Sequence, residues 1–187
     1  MNKLIGLFLI IISSVVLISS TTNVVFAVSD DDTLVVAQYG PHRYNVYENT
    51  LNGTDIMFTE SHDNGMNFSN PINLSSLIQS QQLVVNSVEP QVGAYGDYVY
   101  LIWISEFASG IANLFYTYSA DGGITFDNAT NISLEEENEG KSVQQAVLDV
   151  NPINGTVYIA YLLQDGTVVP CRVKCDSGDE YTAIESG

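Results

Sequence analysis

An internal repeat constrains this chain more than any other feature of its sequence. Residues 55–75 align without a gap on residues 113–133, at a constant offset of 58 positions. The identical positions include the pairs Ser61 and Ser119, Asp63 and Asp121, Gly65 and Gly123, Phe68 and Phe126, and Asn73 and Asn131. Such self-similarity indicates that one structural unit has been duplicated, so the fold must be one that stacks copies of that unit.

The repeating unit has the pattern of an antiparallel β-meander. The same offset aligns residues 99–103 with residues 157–161, and these runs are rich in β-branched and aromatic residues bounded by turn residues. Asn154-Gly155 lies between two such runs and is a strong hairpin signal, while Gly96-Asp97 holds the corresponding place one repeat earlier. No apolar period of 3.6 residues follows the N-terminal segment, so we predict an all-β domain with very little helix.

Each repeat carries the pattern Ser-x-Asp-x-Gly-x-Thr/Asn-Phe, and every residue type in it has a reason to form a turn. The Asp carboxylate can accept bonds from nearby backbone N–H groups, the Gly allows a positive φ angle, and the aromatic residue can pack into the sheet. Such a turn joins two strands and needs no substrate. We therefore assign a structural role to these residues: Ser61, Asp63, Gly65, Phe68, Ser119, Asp121, Gly123, Thr125 and Phe126.

Residues 119–126 resemble the turn motif called the Asp-box, or BNR repeat, and residues 61–68 are similar, with Asn67 where Thr is usual. Together with strands of the Val-Tyr-Leu-Ile-Trp kind, the motifs make residues 40–165 resemble the secreted sialidase-like β-propellers of archaea and bacteria. The resemblance implies four-stranded antiparallel blades, with the boxes on outer hairpins away from an axial active site. A weaker third copy is read at residues 176–181, so we expect an incomplete propeller of about three blades, the last one degenerate.

The arginine count bears on activity. Sialidases hold the substrate carboxylate with three arginines, because planar guanidinium groups match a carboxylate bidentately. After residues 1–27, this chain has Arg43 and Arg172 alone. We therefore expect an exported noncatalytic module with a role in surface recognition or envelope structure, and glycans as a candidate ligand. The alternative is a sialidase-like glycoside hydrolase of the exo-α-sialidase type that needs further blades or a second copy; a glycosidase using another carboxylate pair is also open.

The N-terminus predicts export. Lys3 precedes an almost unbroken apolar run from Leu4 to Ile18, and Val25-Phe26-Ala27 offers a signal peptidase site, so we predict a signal peptide over residues 1–27 and one domain over residues 28–187. The apolar run is shorter than the roughly 20 residues of a spanning helix. The chain has 22 acidic and 5 basic residues, a formal net charge of −17, which argues against nucleic-acid partners. We expect a secreted or cell-surface protein whose partners are carbohydrate or another copy of itself.

Several other features leave alternatives open. Cys171 and Cys175 could form a disulfide, but a strand at Cys171 would separate them too far, and an unpaired or intermolecular arrangement is favoured. The acidic runs 30–32 and 135–139 could gather Ca²⁺ weakly, yet a solvated lead-in and an interblade loop explain them better. No cofactor is predicted. Trp103 with Tyr98, Tyr100, Tyr116 and Tyr118 could form a sugar-stacking platform, although packing is the favoured role. Candidate glycosylation sequons begin at Asn52, Asn67, Asn73, Asn128, Asn131 and Asn154.

Overall fold

A computed structural model describes residues 25–28, 33–50, 53–173 and 181–183. Apart from residues 25–28, the predicted signal peptide therefore lies outside the described residues, as do Asn52, Cys175 and residues 30–32. None of the helices in the described ranges has the length and apolar character that crossing a bilayer demands.

The chain folds into three antiparallel sheets, each built from strands that follow one another in sequence. The first sheet holds β1 (Val25–Val28), β2 (Thr33–Tyr39), β3 (His42–Asn49), β4 (Asp55–Ser61) and β5 (Ile72–Asn73). The second sheet holds β6 (Val84–Tyr95), β7 (Tyr98–Phe107), β8 (Ala112–Ser119) and β9 (Thr130–Asn131). The third sheet holds β10 (Val143–Val150), β11 (Val157–Leu163), β12 (Val168–Val173) and β13 (Tyr181–Ala183). This all-β meander confirms the predicted fold class.

Both predicted hairpin turns are present. Tyr95 pairs with Tyr98 across a two-residue turn in which Gly96 has a φ of 61°. Val150 pairs with Val157, and in the intervening turn the Asn154 side chain accepts a bond from the backbone N–H of Thr156 at 3.1 Å. Each turn reverses the chain between the first and second long strands of its sheet.

The sheets stack face to face, and β7 lies at the centre of the stack. Alternate residues of a strand point to opposite faces, so Leu101 and Trp103 pack in a core shared with the first sheet, while Tyr100 and Ile102 pack in a core shared with the third. All four side chains are at most 1% exposed. Burial on both faces explains why β7 is an almost continuous apolar run and not an alternating one.

The first long strands of neighbouring sheets also contact one another, β2 against β6 and β6 against β10. Gln91 of β6 joins two of them, because its Nε2 donates to the Ala146 carbonyl at 2.7 Å and its Oε1 accepts from the Leu148 N–H at 2.8 Å. Gly93 permits the close approach: a Cβ there would lie 2.4 Å from a methyl carbon of Val150.

The acidic segment after β9 differs from the expected loop. Residues Leu134–Asn138 form a short helix, α1, in which the Glu137 N–H donates to the Ser133 carbonyl at 3.0 Å. Gly140, with a φ of 71°, follows the helix in the left-handed conformation that often ends helices. A single turn shows no apolar periodicity, and for this reason the sequence pattern did not indicate it.

Candidate functional site

The first Ser-Asp turn, residues 61–68, is held together by its own side chains. Ser61 Oγ donates to Asp63 Oδ1 at 2.7 Å and accepts the Gly65 N–H at 2.9 Å. The two carboxylate oxygens of Asp63 accept from the Asn67 backbone at 2.9 Å and from its side-chain amide at 2.6 Å. Gly65 has a φ of 83°, which a side chain would resist. The polar groups of this turn are therefore hydrogen-bonded to one another without a ligand.

The second Ser-Asp turn, residues 119–126, repeats this network with Thr125 in the place of Asn67. Thr125 donates its N–H and its hydroxyl to Asp121 at 2.9 and 2.6 Å, and the Gly123 N–H donates to Ser119 Oγ at 2.9 Å. Hydrogen bonds from the side chains and backbones at these equivalent positions hold the pKa of both Asp63 and Asp121 at about 2. An Asn or a Thr therefore serves equally well as the closing donor, and both carboxylates are committed to the turns as anions.

The two closing aromatic residues have different environments. Phe126 packs edge-on against Phe58 of the first sheet, with ring centroids 4.8 Å apart. The expectation that Phe68 also packs inward was wrong, because its side chain is 43% exposed. The aromatic residue of a turn packs on the preceding sheet, and within the described ranges no sheet lies on that side of the first one.

The third sheet shows where a third turn would begin. Val173 stands opposite Val157, as Ser119 stands opposite Val99 in the second sheet. Strand pairing thus puts Val173 at the position that the turn serine holds in the second sheet. Residues 174–180, which include most of the expected third motif and Cys175, lie outside the described residues.

The two arginines lie apart in the fold. Arg43 pairs with Ser61 in the first sheet, and its side chain crosses the first Ser-Asp turn, where a Cβ on Gly65 would lie 2.9 Å from Arg43 Cδ. Arg172 belongs to β12 of the third sheet, opposite Tyr158. Arg43 lies on β3 of the first sheet and Arg172 on β12 of the third sheet, and the second sheet packs between these two sheets. The described part of the chain does not assemble an arginine cluster of the sialidase kind.

A cavity of about 270 Å³ lies between the first two sheets, at the far end of β4 from the Ser-Asp turn. Its lining is mostly polar and comprises Gly53, Thr54, Asp55, Asn73, Ser75, Ser76, Val84 and Val85. The wall is held by buried backbone bonds: the Ile56 N–H donates to Ser75 Oγ at 2.8 Å, and the Ser87 N–H donates to the Thr54 carbonyl at 2.7 Å. No pattern in a single repeat indicates this cavity, because it forms where two repeats meet.

The cavity places a carboxylate near an amide. Met57 pairs with Asn73, and Asp55 lies two residues before Met57 on the same strand, so Asp55 and Asn73 are diagonal neighbours with Cα atoms about 7–8 Å apart. The Asp55 residue is exposed, and Asn73 Oδ1 accepts the Ser76 N–H at 3.2 Å. Among the described residues, no group accepts a bond from Asn73 Nδ2.

The equivalent asparagine of the second repeat shows what Asn73 can bind. Asn131 orients itself in the same way, with Oδ1 accepting the Ser133 N–H at 3.0 Å. Its Nδ2, however, donates to Glu137 Oε2 at 2.8 Å. Helix α1 thus supplies an oxygen to the second repeat that none of the described residues supplies to Asn73, and a ligand oxygen can take that position in the first repeat.

The candidate aromatic platform is mainly packing. Trp103 is fully buried, and its indole N–H donates to Ser105 Oγ at 3.0 Å. Tyr100 and Tyr116 are 1% and 5% exposed and Tyr118 is half-buried, while Tyr98 is 37% exposed and its ring stacks on Tyr100. A ligand cannot reach the Trp103 ring.

A histidine pair was not anticipated from the sequence. His42 and His62 approach through their Nδ1 atoms at 2.6 Å, and His62 Nε2 lies 2.6 Å from Glu60 Oε2. The second contact is an ion pair by distance, since Glu60 Oε2 has no aligned hydrogen-bond donor among the described residues. Beside them, burial and the nearby charges of Asp97 and Glu60 raise the pKa of Tyr44 to about 12. These groups were missed because residues 42 and 62 meet only through strand pairing.

The sequon asparagines differ in how far their amides are already bonded. The Nδ2 groups of Asn67 and Asn131 donate to neighbouring carboxylates at 2.6 and 2.8 Å. Asn128 is exposed. Asn73 and Asn154 accept backbone bonds through Oδ1, and Asn52 lies outside the described residues. Attachment of a glycan at any of these positions stays a prediction.

Comparisons with known proteins find similarity in structure alone. No protein-family model and no curated protein sequence matches the chain. Among solved structures, a Hadza microbial sialidase, Hz136, superposes with a TM-score of 0.51 at 14% identity, over 78% of this chain and 31% of the sialidase. A thermostable family-43 glycoside hydrolase gives a TM-score of 0.49 at 16% identity, over 89% of this chain and 58% of the hydrolase. This chain therefore spans about a third of the sialidase it resembles, and its three antiparallel sheets have a sialidase-like β-propeller fold.

Proposed function

We propose that this chain is an exported, noncatalytic carbohydrate-recognition module, and that the cavity between its first two sheets binds a neutral sugar. The observation that carries the proposal is that one polar cavity is lined by both Asp55 and Asn73, whose Nδ2 has no acceptor among the described residues. A carboxylate accepts bonds from sugar hydroxyls, whereas an amide N–H₂ donates to their oxygens. The volume of about 270 Å³ lies just below the range for small-molecule pockets, about 300–1,000 Å³. One sugar ring fits such a cavity better than an oligosaccharide.

The charge of the cavity selects against acidic sugars. Asp55 is its one ionisable lining residue, and no lysine or arginine belongs to the lining. Arg43 pairs with Ser61, six residues along β4 from Asp55, or about 20 Å at the rise of an extended strand. A sialic acid carboxylate would meet a negative group and no cation, in a chain whose net charge is already −17. Neutral hexoses and their N-acetyl derivatives avoid that repulsion.

A glycoside hydrolase is the second candidate, and one feature favours it. Glu89 lies on β6, and its backbone N–H donates to Glu48 Oε1 at 2.8 Å. Burial and the Glu48 charge raise the pKa of Glu89, and its φ of 55° is unusual for a residue with a side chain. Glycosidases use one carboxylic acid with a raised pKa beside a second carboxylate. In this alternative the two residues act as acid and base, with further blades or a second copy completing the site.

A binding experiment with matched variants separates these candidates. Calorimetric titration of the purified chain with neutral and sialylated oligosaccharides should show binding of neutral sugars alone. Asp55→Asn should weaken that binding at least tenfold, because a hydrogen bond to a charged group contributes about 1.5–3 kcal/mol. Asp127→Asn removes an exposed carboxylate outside the cavity and should have no effect. Equal affinity of Asp55→Asn and the parent chain, or preference for the sialylated ligand, would refute the proposal.

The same protein preparations test the hydrolase. Fluorogenic sialosides and neutral glycosides should remain intact with the parent chain. Turnover of either substrate that Glu89→Gln abolishes, while binding at the cavity persists, would establish the second candidate in place of the first.

A further inference from the structure

The outer face of the third sheet, defined as the side facing away from the second sheet, is apolar and open. Ala146 and Leu148 pack toward the second sheet, so Val147 points the other way by strand alternation. Val147 is 58% exposed and Val168 is 65% exposed. With Ala160 and Leu162 they line a shallow cavity of about 150 Å³.

Register shows that this face corresponds to one that is covered elsewhere in the molecule. Tyr158, Ala160 and Leu162 of β11 stand at the positions of Tyr100, Ile102 and Ile104 of β7, 58 residues earlier. Those three side chains of β7 are at most 4% exposed, because the third sheet packs on them. The outer face of the third sheet thus continues an interface that the chain has already made twice.

The outer face of the first sheet is the matching surface. Val35, Val46 and Phe58 point toward the second sheet, so their strand neighbours point outward. The outward side chains include four half-buried apolar groups, Leu34, Val36, Tyr47 and Met57. By pairing, Tyr47 opposite Met57 corresponds to Trp103 opposite Phe115, the pair with which the second sheet packs on the first.

Charge distinguishes this pair of faces from the two that are already closed. Asp149 pairs with Tyr158 as Gly93 pairs with Tyr100, so Asp149 holds the position at which the next sheet approaches most closely. In the third sheet, Val150 is the residue that approaches Gly93. The residue at the equivalent position of the first sheet is Gln38, which pairs with the exposed Arg43. If the two outer faces met, Asp149 would therefore face Arg43 and Gln38. In the contact between the second and third sheets, Gly93 faces Val150 at the same place.

We propose that the outer face of the third sheet binds the outer face of the first sheet of a second copy of this chain, closing a ring of six sheets. Each copy offers both faces, so the contact forms twice around a two-fold axis and leaves neither face free. The Arg43 side chain of one copy then lies beside Asp149 of the other. The cavity proposed to bind sugar is lined by residues of a single copy and lies at the far end of β4 from Arg43, so the ring does not depend on the proposed function.

Light scattering on size-separated protein, over a range of concentrations, tests the ring. The expected result is one species with twice the mass of a single chain. Val147→Glu places a charge in the new interface and should give a monomer, and Val168→Lys serves the same purpose if the first variant is unfolded by circular dichroism. Ile153→Glu is the control, since Ile153 is 84% exposed in the β10–β11 turn, outside the face.

Exchange of the two charges tests the register. Arg43→Glu and Asp149→Arg should each weaken dimerisation about tenfold, as close interfacial charge pairs do, while the double variant should regain most of the affinity. Because folding defects would add and not cancel, recovery identifies the pair. A monomer at every concentration, a ladder of growing masses, a Val147→Glu dimer as tight as the parent, or no recovery in the double variant would overturn the proposal.

Discussion

Gly93→Ala should destabilise the protein through a single clash between the second and third sheets. The new Cβ would lie 2.4 Å from Val150 Cγ2 and 2.8 Å from Leu148 Cδ2, both closer than carbon atoms approach in folded proteins. Gly93 does not need a positive φ, so the backbone itself tolerates alanine. Any loss of stability therefore reports the packing of β10 on β6 and not local strain.

The size of the effect follows from two opposing terms. Alanine restricts the unfolded chain and contributes about 0.4–1 kcal/mol of stability, while overpacking of a tight core costs about 1–3 kcal/mol. The net loss in the free energy of unfolding should be about 1–2 kcal/mol. For a chain of this size each kilocalorie corresponds to about 2–4 °C in melting temperature.

Urea unfolding of a double-mutant cycle measures this loss and its cause. Val150→Ala removes both γ-methyl groups, including the contacting Cγ2, and should cost about 1–2 kcal/mol alone. Combined with Gly93→Ala it should relieve the clash, giving an interaction energy of about 1–2 kcal/mol between the two positions. Strictly additive effects, or a Gly93→Ala variant more stable than the parent, would show that the two strands do not meet as described.

Three further outcomes follow from the second sheet. The pKa of Asp121 is lowered to about 2 from its ordinary 3.8, so its contribution to stability is present above about pH 4 and is lost as pH falls toward 2; Asp121→Asn should show a smaller loss of stability over that range in urea unfolding at pH 6 and pH 2.5. Ser119→Ala leaves the Gly123 N–H without its buried acceptor, and thermal unfolding should show a loss of about 1–3 kcal/mol, with Ser119→Thr as the control that keeps a hydroxyl. Trp103→Phe removes the indole N–H that donates to Ser105, and chemical denaturation should show a loss of more than about 1 kcal/mol in the free energy of unfolding. A surface role for Trp103 predicts no change in that free energy.

The repeat was enough to predict the strands of each sheet, but it did not predict the contacts between sheets. Asp63 and Asp121 have partners within six residues of themselves, so a local pattern is enough to anticipate their bonds. Phe68 and Phe126 have the same local pattern but different exposure, because Phe126 rests on Phe58, which belongs to another sheet. A periodic sequence specifies what each unit resembles, and the neighbours of a unit depend on its place in the stack.

The candidate binding cavity was unpredictable for the same reason. Asn73 and Asn131 hold equivalent positions in the two repeats, and a residue of helix α1 accepts from Nδ2 of Asn131 alone. The repeat did not predict a binding role for Asp55, since the residue that aligns with it, Asn113, is buried in the second sheet. Differences between otherwise equal repeats therefore indicate function here better than the repeated residues do.

Strand β1 gives the first sheet a property that changes with processing. Val25 to Val28 pair with residues 33–36 along the edge of β2, and cleavage after Ala27, as predicted from the sequence, would remove all but one residue of that strand. The precursor would then carry its own blocking strand, and the processed chain would present a free row of backbone donors and acceptors on β2. The predicted cleavage would therefore leave β2, and not β1, as the edge strand of the first sheet.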